Sequence, residues 1–331
     1  MARYVFHNLT LDVRHEGEEI VEELAQLLHG LSFITTTAAD REPSLCLSVR
    51  LGHQRVSVPS TAHIVFEADG FSGLESGEEF YLTDGHSLFH LQMAKGRGDA
   101  HLAPSFFAKP SLLQRNFWTF GLLKLLRPLG LYSLHAAGVV TKEGLGLLII
   151  GESSSGKSTL ALGLIRQGWS YLSDDAVLLR LHAEGVEALA FRKNFYIDAS
   201  SAAAYVDLPL GEEALDAAGK QRRRVRVEDA YPGQYVSRCV PRVLLFSHIA
   251  PQAHSTVLVL DRLSALTQLL AGSGPQLFDR GTMAKHLEVL QRLMQQAAMY
   301  ELRAGIDLYH QPLTLVRLLA EAEGEKQWPG L

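Results

Sequence analysis

The sequence predicts an α/β protein in which a smaller N-terminal α+β domain precedes a C-terminal mixed sheet with helices. Three observations predict it. The first hundred residues alternate apolar and polar in short segments, the strand period. Beyond residue 130 the strands become longer and almost wholly apolar, and they alternate unevenly with helical patterns. One of these apolar strands runs directly into a glycine-rich loop that opens a helix.

In the N-terminal part, "SLCLSVRL", "HIVFEA", "EEFYL" and "SLFHLQM" read as strands, the last two flanking the hairpin signal Asp84-Gly85. "EEIVEELAQLLHGL" interrupts them as a helix, with Ile20, Leu24, Leu27, Leu28 and Leu31 on one face and Gly30 near its end. A second helix starts at Lys109 with Pro110 in its first turn and carries Leu112, Leu113, Phe117, Phe120, Leu123 and Leu126 until "RPLG" stops it. The expected organisation is an N-terminal domain over 1–108, a bridging helix over 109–130 and a second domain over 131–331. Within the last, "LYSLHAAGVV" and "GLGLLIIG" read as adjacent strands joined by a turn from Thr141 to Gly144. Further strands are expected at 177–181, 242–246, 256–260 and 300–304, and helices near 262–271, 282–298 and 313–323. In "LEVLQRLMQQAAMY", Leu287, Leu290, Met294 and Ala298 have the spacing of a core-facing helix side.

Composition narrows the function classes. With 331 residues, 47% apolar and 20% charged, the chain can build a core and is not a disordered tail. A net charge of −5 gives no reason to expect a nucleic-acid or membrane-surface partner. Cys46 and Cys239 sit in apolar strands, where a thiol serves as a small hydrophobe, and no uncharged apolar run reaches the roughly 18 residues a bilayer needs. These features lead us to expect a cytoplasmic protein; a homo-oligomer is compatible with them.

The chemistry is carried by "GESSSGKS", residues 151 to 158, which satisfies G-x-x-x-x-G-K-[ST] between an apolar strand and a helix. That order lets loop amides from Gly151, Glu152, Ser153, Ser154, Ser155 and Gly156, and the helix N-terminus through Thr159, converge on the phosphates of ATP. Lys157 adds a full charge at the β- and γ-phosphates, and the Ser158 hydroxyl reaches Mg²⁺. Gly168 ends the helix, and "WSYL" leads back to Asp174 and Asp175. Side-by-side carboxylates repel, so this pair at a strand end needs a cation. One acid can hold the metal while the other takes a proton from an incoming hydroxyl.

"LHAAGVV" followed by "LLIIGESSSGKSTLALGLIRQGWSYLSDDAVLL" resembles the catalytic domain of HPr serine kinase/phosphorylase. The resemblance covers residues 132 to 180. It implies a P-loop fold related to phosphoenolpyruvate carboxykinase and a kinase that phosphorylates a serine hydroxyl, with a peptide or protein as partner. It also implies that Asp174 beside His135 is the base and Asp175 belongs to the metal shell with Ser158. The sequence departs from the family in lacking a glutamate in "FRKNFYIDAS", where Asp198 is the available acid, and in lacking the downstream signature linked to phosphorolysis. The pattern is similar to the divergent branch found with peptide-modification systems, including lasso-peptide kinases.

"KQRRRVRVED", residues 220 to 229, concentrates positive charge. Arg222, Arg223, Arg224 and Arg226 are candidates for contacts with phosphate or an acidic acceptor, against the plainer reading of a solvated loop. "RKN" at 192–194 is a second, smaller candidate for lining the site. Nucleic acid is the poorer partner because the run lacks interleaved aromatics. Two rival functions stay open at this stage: a nucleotide-binding switch without an acceptor, and a kinase of small-molecule hydroxyls.

Overall fold

The short alternating segments at the start of the chain assemble one large sheet. The structure, a computed structural model, describes residues 1–17, 19–38, 42–52, 57–68, 70–205, 208–215, 221–274 and 281–322. Lys220 of the basic run therefore lies outside the described residues. The chain divides into two compact units, Met1–Leu131 with Glu213–Arg222, and Tyr132–Glu212 with Arg223–Leu331.

In the first unit the elements are β1 (Ala2–Phe6), β2 (Leu9–His15), α1 (Glu19–Gly30), β3 (Ile34–Thr35), β4 (Leu45–Leu51), β5 (His63–Ala68), β6 (Phe71–Ser76), β7 (Glu79–Thr83), β8 (Leu88–Gln92), β9 (Arg97–Leu102) and α2 (Ser111–Leu126). Its sheet runs in the order β3-β1-β2-β4-β9-β8-β7-β6-β5. The Asp84-Gly85 turn closes the β7–β8 hairpin, with the Asp84 carboxylate accepting from the amides of His86 and Ser87. α1 buries Ile20, Leu24 and Leu28 as its periodicity requires. α2 packs on β8 and β9 within this unit, so closely that a Cβ on Gly121 or Gly98 would strike the Phe89 ring.

The second unit begins with β10 (Tyr132–Leu134), β11 (Ala136–Val140), β12 (Gly146–Ile150), α3 (Lys157–Arg166), β13 (Ser170–Ser173), β14 (Val177–His182), β15 (Gly185–Ala190), β16 (Asn194–Ile197) and α4 (Ala199–Ala204). It continues with β17 (Leu210–Leu215) and β18 (Gln221–Arg226), of which residues 213–215 and 221–222 belong to the first unit, and then with α5 (Val227–Ala230), β19 (Arg238–Cys239), β20 (Pro241–Ile249), β21 (Thr256–Val259), α6 (Arg262–Ser273), α7 (Met283–Gln296), β22 (Ala298–Ala304), α8 (Ile306–His310) and α9 (Thr314–Ala322). A six-stranded mixed sheet, β13-β11-β12-β20-β22-β21, forms its centre, with β12, β20 and β22 parallel. Leu147 and Ile149 of β12 pack with α3, α8 and α9, whereas Leu148 and Ile150 pack with α6 and α7. Burial on both faces is why this strand reads as an unbroken apolar run.

Two expectations need correction. "LYSLHAAGVV" is not one strand: β10 joins β14 in a four-stranded sheet, β11 joins β12 in the central sheet, and the chain changes sheets at His135. The buried face of α7 is His286, Val289, Leu290, Leu293 and Met294; Leu287 is only half-buried and Ala298 already begins β22.

Candidate active site

The parallel strands β12 and β20 leave their carboxyl ends side by side, and the 151–158 loop starts there. Two residues take left-handed backbone conformations to turn it, Ser154 at φ 65° and Gly156 at φ 86°. Gly151 has no room for a Cβ, which would meet the Ser247 carbonyl and the Ser155 hydroxyl. Ser247, at the end of β20, donates its hydroxyl to the Ser155 carbonyl at 3.2 Å and so pins the loop from the neighbouring strand. α3 then begins with Gly156 as its N-cap residue, which brings no side chain to cap the first turn.

Three side chains of this loop differ in how far they are satisfied. Ser155 Oγ is buried with no hydrogen-bond partner among the described residues, a costly arrangement unless a ligand completes it. The Lys157 ammonium donates to the carbonyls of Gly151 (2.8 Å) and Glu152 (2.7 Å). Burial pushes Lys157 down to about 8, opposed by the negative charges of Asp174 and Glu152. Thr159 spends its hydroxyl on Ser201 Oγ of α4 at 2.9 Å, leaving its main-chain N–H to offer at the helix start. Glu152, Ser153 and Ser154 are exposed.

β13 delivers the acid pair. Ser173, fully buried, binds the turn together: its hydroxyl meets the carbonyls of Ala176 (2.5 Å) and Arg192 (3.0 Å) and the amides of Phe191 (3.2 Å) and Arg192 (2.8 Å). Asp174 is 2% exposed and accepts the Ser158 hydroxyl at 2.8 Å. Burial raises its pKa, opposed by that hydrogen bond and by the charges of Lys157, Arg192 and His135. Asp175 stands at φ 63°, a left-handed conformation that sends the second side chain away from the first. Its carboxylate lies 3.1 Å from His135 Nδ1 through Oδ1 and ion-pairs with Arg192 through Oδ2.

His135 Nδ1 also lies 2.7 Å from the Asp175 carbonyl, which only accepts, so this nitrogen carries the proton. Desolvation, then the charges of Lys157 and Arg192, lower the imidazole to about 4. At neutral pH the ring is uncharged and Nε2 keeps its lone pair.

The partners expected for the two acids are therefore exchanged. Ser158 meets Asp174 and His135 meets Asp175. Asp198, the acid available near the missing glutamate, caps α4 by accepting from the Ser201 amide at 2.8 Å. The arginine run is a strand and not a loop: in β18, Arg223, Arg224 and Arg226 pair with Ile197, Tyr196 and Asn194 of β16. Arg226 lies 4.0 Å from Asp229 on α5, and Arg222 falls in the part of the chain that clusters with the first unit. The arginine that meets the acid pair is Arg192 of the smaller "RKN" motif. Ser173 and Ser247 carried no signal in the sequence beyond their places at strand ends.

Fold and site together define a mixed α/β protein with a strand–loop–helix nest facing a pair of acids. No family model matches the chain. Over 64 residues, 19% of this chain and 19% of each relative, it is 38% identical to proteins named HPr kinase/phosphorylase from Chlorobium phaeovibrioides (strain DSM 265 / 1930) and Chlorobium chlorochromatii (strain CaD3). It is also 38% identical over 79 residues to the HPr kinase/phosphorylase of Mycoplasmopsis pulmonis (strain UAB CTIP), covering 24% of this chain and 25% of that one. The match thus spans about a fifth of the length of these curated relatives. Among solved structures, the HPr(Ser) kinase/phosphatase from Coxiella burnetii aligns with a TM-score of 0.30 at 13% identity, covering 58% of this chain and 95% of that chain. Over the matched segment the chain is HPr-kinase-like.

Among the described residues no helix is long and apolar enough to cross a membrane, and no group of three or more His, Cys, Asp or Glu side chains could hold a metal unaided. Mg²⁺ rarely asks for such a cage: it takes one or two protein oxygens and completes its shell with water and substrate phosphates. The Ser158 hydroxyl and Asp174 carboxylate, hard oxygens 2.8 Å apart with the acid buried, fit that demand.

Proposed function

We propose that the protein is an ATP-dependent kinase that transfers the γ-phosphoryl group to a hydroxyl, that of a serine in a peptide or protein. The observation that carries this reading is the Ser158–Asp174 hydrogen bond, which sets a buried carboxylate against the first turn of α3. In this reading the amides of the 151–158 loop and of the start of α3 hold the nucleotide phosphates, and the buried Ser155 hydroxyl finds its missing partner there. Lys157 leaves the carbonyls of Gly151 and Glu152 for the phosphate oxygens, which relieves the cost of its burial. Ser158 and Asp174 hold Mg²⁺, whose contribution is to neutralise charge on the phosphates. On the other side of the turn, Asp175, oriented by His135, takes the proton of the incoming hydroxyl. Most of the rate comes from positioning and fixed charge.

Incubation with γ-labelled ATP, magnesium and a cell extract tests the reading. Label should appear on a protein or peptide at serine. Label released only as free phosphate supports a nucleotide switch, and label on a metabolite supports a small-molecule kinase; either outcome contradicts the proposal.

A further inference from the structure

We infer that Arg192 is a positioning residue for the proton-accepting carboxylate, an inference that rests on the reading of Asp175 just given. The main chain of Arg192 is tied to the acid turn at both ends: its amide donates to Ser173 Oγ at 2.8 Å, and its carbonyl accepts the Asp174 amide at 3.0 Å. The side chain cannot drift from a turn to which its own backbone is bound. Its Nη1 pairs with Asp175 Oδ2, while Oδ1 of the same carboxylate faces His135 Nδ1 at 3.1 Å. Oδ1 shares the single Nδ1 proton of His135 with the Asp175 carbonyl, so the cation on Oδ2 is the firmer of the two contacts that aim the carboxylate.

Exposure gives the arrangement a direction. The Arg192 side chain is 13% exposed and the Asp175 side chain 43%, so the cation stands behind the acid and leaves its open side to solvent and to an acceptor. The backbone sharpens the need for such a clamp. Asp175 holds a left-handed φ of 63°, which few non-glycine residues adopt, and a carboxylate on so short a side chain is aimed by whatever grips its oxygens. Arg192 acts through Asp175, and no bond to substrate is assigned to it.

Three variants test the inference: Arg192→Gln, Arg192→Lys and Arg192→Gly, the last with and without added guanidinium ion. Turnover is read on the acceptor that the wild type labels, nucleotide affinity by calorimetry with ATP and magnesium, and folding by thermal unfolding. Arg192→Gln should lower kcat by about 10²-fold, since small misplacements of a reacting group cost that much, while KM for ATP and its Kd stay within about threefold. Arg192→Lys should recover much of the loss, because an ammonium keeps the positive charge beside Asp175, and guanidinium should raise the turnover of Arg192→Gly. A Gln variant that folds and keeps its kcat contradicts the inference, as does a loss confined to ATP affinity, which makes Arg192 a nucleotide contact. A loss that neither lysine nor guanidinium relieves reduces Arg192 to a structural role and also contradicts it. A wild type that labels no acceptor sinks the kinase reading itself, whereas a wild type that labels beside an equally fast Gln variant sinks this inference alone.

Discussion

Glu79 in the first unit and Asp174 in the second are both carboxylates among hydrogen-bond donors, yet their surroundings push them in opposite directions. Glu79 accepts from the Tyr81 hydroxyl at 2.6 Å and from Gln92 Nε2 at 3.1 Å, and lies 3.0 Å from His90 Nε2. These bonds, that of Tyr81 first, pull it down to about 2. The ring of Tyr81 stacks on His90 at 4.7 Å, so the cluster is satisfied on every side that the structure describes. Asp174 has stronger cations nearby and one good donor, but complete burial outweighs them and its pKa rises. A satisfied carboxylate stabilises the fold that holds it. A carboxylate left short of charge compensation is held there by the rest of the fold and is available to a ligand.

Three substitutions would sharpen or break this contrast. The largest effect is expected at Lys157, the one cation in the 151–158 sequence: Lys157→Ala should lower transfer by at least about 10²-fold, measured as label on the acceptor. Undiminished turnover in a folded variant would remove the loop from the chemistry. Next comes Asp174→Asn, which keeps the shape and removes the buried charge. Because burial raises the pKa of Asp174 above its ordinary value, the fold holds the carboxylate charge at a cost, and thermal unfolding of Asp174→Asn at pH 7 should show a higher Tm than the wild type. A lower Tm would mean that Asp174 is as settled as Glu79. The smallest effect is expected for Glu79→Gln. A depressed carboxylate contributes stability above its ordinary 4.5 that fades as pH falls toward about 2, so wild-type stability should decline through that window and the Gln variant should not. The side chain is 38% exposed, and solvent screening limits the difference to less than about 1 kcal/mol.

Much of the second unit's design was legible in the residues. "GESSSGKS" between an apolar strand and a helix, Gly168 at the helix end and the adjacent acids all announce themselves locally, because each depends on backbone chemistry within a few residues. What stayed hidden depends on longer-range geometry. That His135 lies where the chain leaves one sheet for another cannot be seen in "LYSLHAAGVV", which has no glycine or proline at the break. Which acid meets Ser158 and which meets His135, and the left-handed backbone at Asp175, leave no mark in composition. Arg192 is brought in by the return of β15, 17 residues beyond the acid it pairs with, and the run at 222–226 is the denser local concentration of arginine. In the first unit, the alternation marked the strands, but the parallel pairings of β2 with β4 and of β4 with β9 join distant segments that no local period records.

The division of labour between the two acids is most directly tested by measuring magnesium-dependent ATP uptake for Asp174→Asn and Asp175→Asn in parallel calorimetric titrations, each followed by a transfer assay on the same sample. The account predicts that the magnesium-dependent part of binding disappears in the first variant and survives in the second, which binds but does not transfer. Uptake that survives in Asp174→Asn and vanishes in Asp175→Asn would contradict it.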